Sequence, residues 1–444
     1  MLMNERIQSL RALLRLDAHH ATERFGIVVS AFAVTLAMLV TGGVASAISN
    51  NAAKTSETAL YNTTFKTSQT NISGKVAGVY VSPDRTRSLV LMQVGESDAS
   101  KMSADAKNYQ SFITGSDSSL GQQTLDSSMS GEVVVFGTTG YMGVVVTSDR
   151  PFSKQILALT MRANSKLVYN DDAPAQIQSS RPDLKNDASF VKFDQWRVFF
   201  NPGASGAVTS GSLSNASAPF SASDVYYDLV VKSQEQEARK KMDADLAKMQ
   251  VDLAQINEYT AQMATTQVGG VRIVAPKVPA QIAGDDITGK SDNASDPLVL
   301  HSAWTSPAGY NFDWRAGSIK TGYLNQLVPK GESYVKYLAD HTAQAGTQNA
   351  GESSRGPKSF NVNDLVWKLS DGSDLATDYT GSSNAMKPLS DVMTNLVQAY
   401  QTYYNDKVAY QTQDFNQLIA LEVSLKNVDG GASINDTKSA VQSY

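Results

Sequence analysis

The run IVVSAFAVTLAMLVTGGVASAI, Ile27 to Ile48, constrains this chain more than any other feature. No charged residue occurs between Phe25 and Ala53. About 20 apolar residues suffice to cross the ~30 Å hydrocarbon core of a bilayer. A transmembrane helix is therefore predicted over 25–48, with Ile27, Val34, Leu36, Leu39 and Val44 at its core. Arg6, Arg11, Arg15 and Arg24 precede it, and only Lys54 and Lys66 follow closely. The positive-inside bias then puts residues 1–24 in the cytoplasm and the bulk of the chain outside, a single-pass cell-membrane protein. Cleavage after Ala47 competes, because Ala45-Ser46-Ala47 fits a signal-peptidase pattern. Against it, the basic segment is long and the apolar run exceeds the ~7–15 residues of a signal sequence. Residues 1–24 carry Ile7, Leu10, Leu13 and Leu14 between arginines. They read as a short amphipathic helix on the inner leaflet, or as an extension of the membrane helix.

The rest of the composition agrees with a life outside the cytoplasm. Only 18% of the 444 residues are charged, and Ser, Thr, Asn and Gln supply much of the polar surface. A net charge of −5 leaves no footprint for nucleic acid. There is no cysteine, which excludes disulfides, thiolate chemistry and cysteine-ligated metals, and leans toward a bacterial source.

Residues 49–73 read as a polar spacer. From 74 to 232 short β-rich runs alternate with turn residues. VAGVYV and SLVLMQV flank Ser82-Pro83-Asp84-Arg85, and EVVVF and YMGVVVT flank Gly137-Thr138-Thr139-Gly140. QILALTM, KLVY, ASFVKF, QWRVFF and DVYYDLVV follow, and KMSADAKNYQSFI reads as an inserted helix. The sum predicts an Ig-like β-sandwich.

A first long helix is predicted over 233–267, opened by a Ser233/Gln236 capping box. Met242, Leu246, Met249, Leu253, Ile256 and Met263 fall at four- and three-residue spacings, with Thr260 in the missed slot, which reads as a coiled-coil seam. A second long helix, 387–428, opens at Pro388 and precedes a flexible tail over 429–444. The expected architecture is α+β: an anchor, a sandwich, an antiparallel helical hairpin as a stalk, and a mixed inserted head, 268–386, at its tip. The alternative packs both helices flat on the sandwich.

Motifs that carry chemistry are few. Ser291-Asp292-Asn293, Lys320-Thr321-Gly322 and Ser333-Tyr334-Val335-Lys336 match the three short signatures of penicillin-recognising serine enzymes. All three crowd into residues 291–336, too little chain for the subdomains that unite them in such enzymes, so the match reads as chance. His19 and His20 fall on the cytoplasmic side; His301 and His341 lack a local acid–base motif. Asp285, Asp286, Asp292 and Asp296 lack the regular spacing of a calcium loop. The Asn-x-Ser/Thr sequons at Asn62, Asn71, Asn215, Asn293 and Asn435 matter only in a glycosylating host.

The function expected is therefore a non-enzymatic envelope component with no catalytic residue, cofactor or metal. Its expected partners are membrane lipid through the anchor, and a surface protein or its own oligomer, as part of a surface, secretion or conjugation assembly. The alternative is a carboxylate-dependent hydrolase of cell-wall polymer, using Asp313 beside Trp314 with Glu332 or Asp340, or a glycan-binding protein.

Overall fold

A computed structural model describes residues 57–116, 122–164, 167, 193–351, 365–378, 383–436 and 441–443. Two largely antiparallel sheets face one another. The first has seven strands, ordered β1 (Thr64–Lys66), β2 (Ser73–Val81), β3 (Arg87–Val94), β7 (Tyr141–Ser148), β6 (Met129–Val135) and β15 (Ser433–Asn435), with β10 (Val208–Thr209) parallel to β2. The second has five: β16 (Val441–Ser443), β4 (Tyr109–Ser116), β8 (Ile156–Ala163) and β9 (Gln195–Phe200), with β5 (Gln122–Gln123) on β4.

Strand β3 shows why the first sheet is central. Its LVLM run, Leu89 to Met92, is apolar at successive positions, the pattern of a strand buried on both faces. Val90 and Met92 meet Ile113, Leu159, Trp196 and Val198 in the core between the sheets. Leu89 and Leu91 belong to a second core that continues into the helices. The same division places Val144 and Val146 of β7 inward and Val145 outward.

The helical part begins at Ala222, where Ser221 accepts a hydrogen bond from the Asp224 amide. A π-helical turn, Tyr227–Val231, leads into α1, Lys232–Thr265. Small ladders follow: β11 (Gln267–Val268) with β12 (Val271–Arg272), and β13 (Asp286–Thr288) with β14 (Val299–His301). Helix α2 spans Tyr334–Gly351. Helix α3, Ser383–Ala409, passes through a second π turn, Tyr410–Asp414, into α4, Phe415–Gly431.

Several expectations are corrected. Among the described residues no helix is long and apolar enough to cross a membrane. Residues 25–48, with Ile27, Val34, Leu36, Leu39 and Val44, lie outside the described residues. From residue 57 the predicted spacer belongs to the sheet, with Phe65 and Ile72 buried in its core. DVYYDLVV is helical, because Val225, Tyr226, Val230 and Val231 bury in the second core at helical spacing. Ser233 donates to the Val230 carbonyl instead of capping a helix start, and Pro388 lies inside α3. The NYQSFI portion of the predicted inserted helix runs into β4.

The projecting coiled-coil stalk with a head at its tip is not formed. Helix α1 and the returning helices run antiparallel, but the insert folds back along them toward the sheets. Lys320 pairs with Asp224 at 2.6 Å, at the sheet end of the helices, which a head at the tip could not reach. Tyr226 packs on Phe136 and Tyr141 of the first sheet, with ring centroids 5.8 and 5.6 Å apart. One apolar core thus joins sheet, helices and insert. The Ig-like topology is also replaced, since the predicted tail supplies β15 antiparallel to β6 and β16 parallel to β4.

Candidate functional site

The seam residues Met242, Leu246, Met249, Ile256 and Met263 are buried and Leu253 is half-buried, all in the second core. Their face is not purely apolar. Asp252 is buried on it, beside the Asp406 carboxyl of α3. Lys248 pairs with Asp406 at 2.8 Å. One repeat earlier, Lys241 bridges Asp245 and Asp414. Burial first, then the neighbouring carboxylate, raises Asp252 to about 6. Burial likewise raises Asp414 to about 6, against the opposing pull of Lys241. Each unit is a carboxyl pair closed by a lysine.

Beside this interface lies a fully buried ammonium. Lys407 donates to the Gln281 carbonyl at 2.7 Å and to Ser302 Oγ at 2.6 Å, and pairs with Asp285 at 2.7 Å. Tyr403 donates to the same Asp285 carboxylate at 2.8 Å, and the Trp304 ring lies 5.1 Å from the ammonium. Burial lowers the Lys407 pKa, with Asp285 opposing the shift. All three ammonium protons have partners, an arrangement that fastens the insert to α3 and leaves no lone pair for nucleophilic work.

A third cluster surrounds Lys320-Thr321-Gly322. Arg239 donates to Glu235 and Tyr323, and Tyr323 donates to the Trp314 carbonyl at 3.0 Å. Glu422 of α4 accepts the amides of Tyr323 at 2.6 Å and Leu324 at 2.9 Å through Oε2. Beside it opens a cavity of about 200 Å³ between the start of the helical part, the insert and α4. A further cavity, about 460 Å³ beside the β6–β7 turn, is lined by Val94, Met102, Val135 and Met142 and holds no carboxylate, lysine, arginine or histidine.

The other candidates from the sequence are dispersed. Neither Ser291, Asn293 nor Ser333 lines the cavity of Lys320–Gly322, so the three serine-enzyme signatures are not united. Asp313 accepts the amides of Arg315 and Ala316 as a turn cap. Glu332 and Asp340 share Lys336 on α2, at 3.9 and 2.6 Å. His301 bonds Thr288 at 2.9 Å, and His341 stacks on Tyr310. Among the described residues no three His, Asp or Glu side chains gather as metal ligands. Asp252, Asp406, Lys407 and Glu422 escaped sequence reasoning. A charged residue in an amphipathic helix is by default assigned to solvent, and Lys241/Asp245 has the spacing of an ordinary surface pair.

No family model, no curated protein and no solved structure matches the chain.

Proposed function

We propose that the chain is a non-catalytic contact component of a protein assembly, and that the insert carries its contact surface. The observation that carries this reading is an isolated antiparallel β-bridge that joins Ile273 to Leu369. Ile273 opposes Leu369, and the Val274 amide donates to the Lys368 carbonyl. The extended backbone on either side of the bridge alternates its side chains between two faces. Ile273, Trp367 and Leu369 are buried in the core, while Val274 and Val366 are 51% and 58% exposed on the opposite side, diagonal to one another. Exposed valines recur nearby in sequence at Val278 and on the insert at Val299 and Val335. Apolar side chains exposed together on one side of the bridge are the kind of surface that a protein contact covers.

The simplest partner is a second copy. Light scattering of the full chain over a wide concentration range is expected to show association, which Val274→Asp with Val366→Asp abolishes without shifting the melting temperature. A chain that stays monomeric at every concentration, and whose crosslinked products are identical with and without the two substitutions, would remove the support. The carboxylate-hydrolase alternative gains none from the geometry, because Asp313, Glu332 and Asp340 are occupied as a cap and as partners of one lysine.

A further inference from the structure

We propose that the cavity beside Glu422 binds a neutral, hydroxyl-rich molecule the size of a single sugar ring. This inference is independent of the contact surface beside the Ile273–Leu369 bridge. It begins with an unused acceptor. The Glu422 side chain is 1% exposed, and its Oε2 takes two backbone amides. Its Oε1 has no hydrogen-bond partner, and Lys426 stands 3.6 Å away as an ion-pair neighbour. A buried carboxylate oxygen without a donor is costly unless something supplies one.

The chain keeps the space beside that oxygen free of a side chain at position 322. Gly322 lies next to it at φ +89°, and a Cβ there would stand 3.1 Å from Oε1. A side chain at 322 would thus be strained in its backbone and would crowd the acceptor. The volume of about 200 Å³ corresponds to some six or seven waters at ~30 Å³ each. That suits one small ring rather than a drug-sized ligand or a peptide.

The lining decides the charge of the ligand. Asp224, Glu422 and Asp429 face the same space as Lys320 and Lys426. An anion entering it meets three carboxylates, and a cation meets two ammonium groups. A neutral polyol takes both kinds of partner, since each hydroxyl donates once and accepts twice. Asn325 adds an amide at the mouth, and Tyr227, Ile319 and Leu425 offer apolar wall for the C–H face of a ring. Lys320 is held over the Tyr227 ring, 5.6 Å from its centroid, by its pair with Asp224. The donors and acceptors are therefore fixed before a ligand arrives.

The test uses the full chain with glucose, galactose, mannose and N-acetylglucosamine, each compared with glucuronate and glucosamine. Saturation-transfer NMR detects binding and titration calorimetry measures it. At least one neutral sugar is expected to bind, and the charged analogues to bind roughly tenfold more weakly. Asn325→Trp closes the mouth at an exposed position and is expected to abolish binding with an unchanged melting temperature. Glu422→Gln keeps the volume and is expected to weaken binding roughly tenfold or more; if it does not fold, Asn325→Trp decides alone. Absence of binding by every neutral sugar, preference for a charged analogue, or binding that Asn325→Trp leaves intact would each overturn the proposal.

Discussion

Lys407 concentrates the energetics of the molecule at a single residue. Its ammonium and the Asp285 carboxylate are 0% and 1% exposed, so neither is solvated by water. Removing one partner of such a pair strands the other charge, which costs ~3–5 kcal/mol. Lys407→Met is expected to lower the unfolding free energy by that amount, read from the urea midpoint at constant m. Adding Asp285→Asn removes the stranded charge while the Tyr403 hydroxyl keeps an acceptor, so the double variant is expected to regain a large part of the loss. A single variant within ~1 kcal/mol of wild type would mean that water reaches the site and that the insert is held by its apolar contacts alone. The sequence gives no warning of this residue. The apolar stripe Met393, Leu396, Val397, Tyr400, Tyr404, Val408 steps past Tyr403 and Lys407, and their counter-charge lies more than a hundred residues away, at Asp285. Glu422 is hidden for the same reason, because its partners are backbone amides of the insert.

At the scale of the element, the interface of α1 with the returning helices repeats itself. Lys241 and Asp245 recur as Lys248 and Asp252, seven residues on. Their partners Asp414 and Asp406 are eight apart, and the π turn Tyr410–Asp414 between them absorbs the extra residue. A π turn is a common device for re-aiming one face of a helix. The heptad spacing of α1 was legible in the sequence, whereas the insertion opposite it was not, since a π turn has no composition of its own. The hairpins β2–β3 and β6–β7 were legible because Pro, Asp and Gly mark their turns. The helical state of DVYYDLVV was not, because a β-prone sequence was overridden by the core that Tyr226 and Val230 enter. The carboxyl pairs give this interface a pH dependence with a definite sign. Asp252 and Asp414 are raised in the folded state, so between the ordinary aspartate range and about 6 the folded chain holds more protons than the unfolded one. Stability from these groups is therefore present at the acid side of that window and is lost as pH rises through it. Thermal melts are expected to fall in midpoint as pH rises from about 4 to about 7 over this contribution. Asp252→Asn offers Asp406 an amide donor in place of the second charge, so it is expected to melt a few degrees higher, roughly 2–4 °C per kcal/mol, at neutral pH and to flatten the profile. An equal slope in the variant would show that Asp252 does not hold the proton.

At the scale of the whole molecule, the last residues decide whether sheets and helices unfold together. After α4 the chain re-enters both sheets. Ile434 pairs with Val134 in the first, and Gln442 pairs with Phe112 in the second. Asn435 donates to the Tyr109 carbonyl at 3.0 Å, and Asn427 of α4 donates to Thr138 at the β6–β7 turn. The helices are thus tied to the sheets at both ends, by the start of the helical part on Phe136 and by these C-terminal strands. The second core is shared by Leu89 and Phe136 of the sheet, Leu246 of α1 and Trp314 of the insert. Single-domain cooperativity is then expected even though the sequence suggests a string of units. The tryptophans report on it separately. Trp196 lies in the core between the sheets, and Trp314 and Trp367 lie in the insert. Variants that retain Trp196 alone, or Trp314 and Trp367 alone, are expected to unfold in urea with coincident fluorescence transitions. Removing residues 432–444 takes a strand from each sheet and leaves Val133–Val135 of β6 with an unpaired edge. That truncation is expected to separate the two transitions, with the Trp196 signal moving to lower urea by a larger interval than the Trp314 and Trp367 signal. Two separate transitions already in the full-length chain would show that the shared core is too weak to couple its parts, and the returning strands would then be an ornament of the sheets rather than the tie between them and the helices.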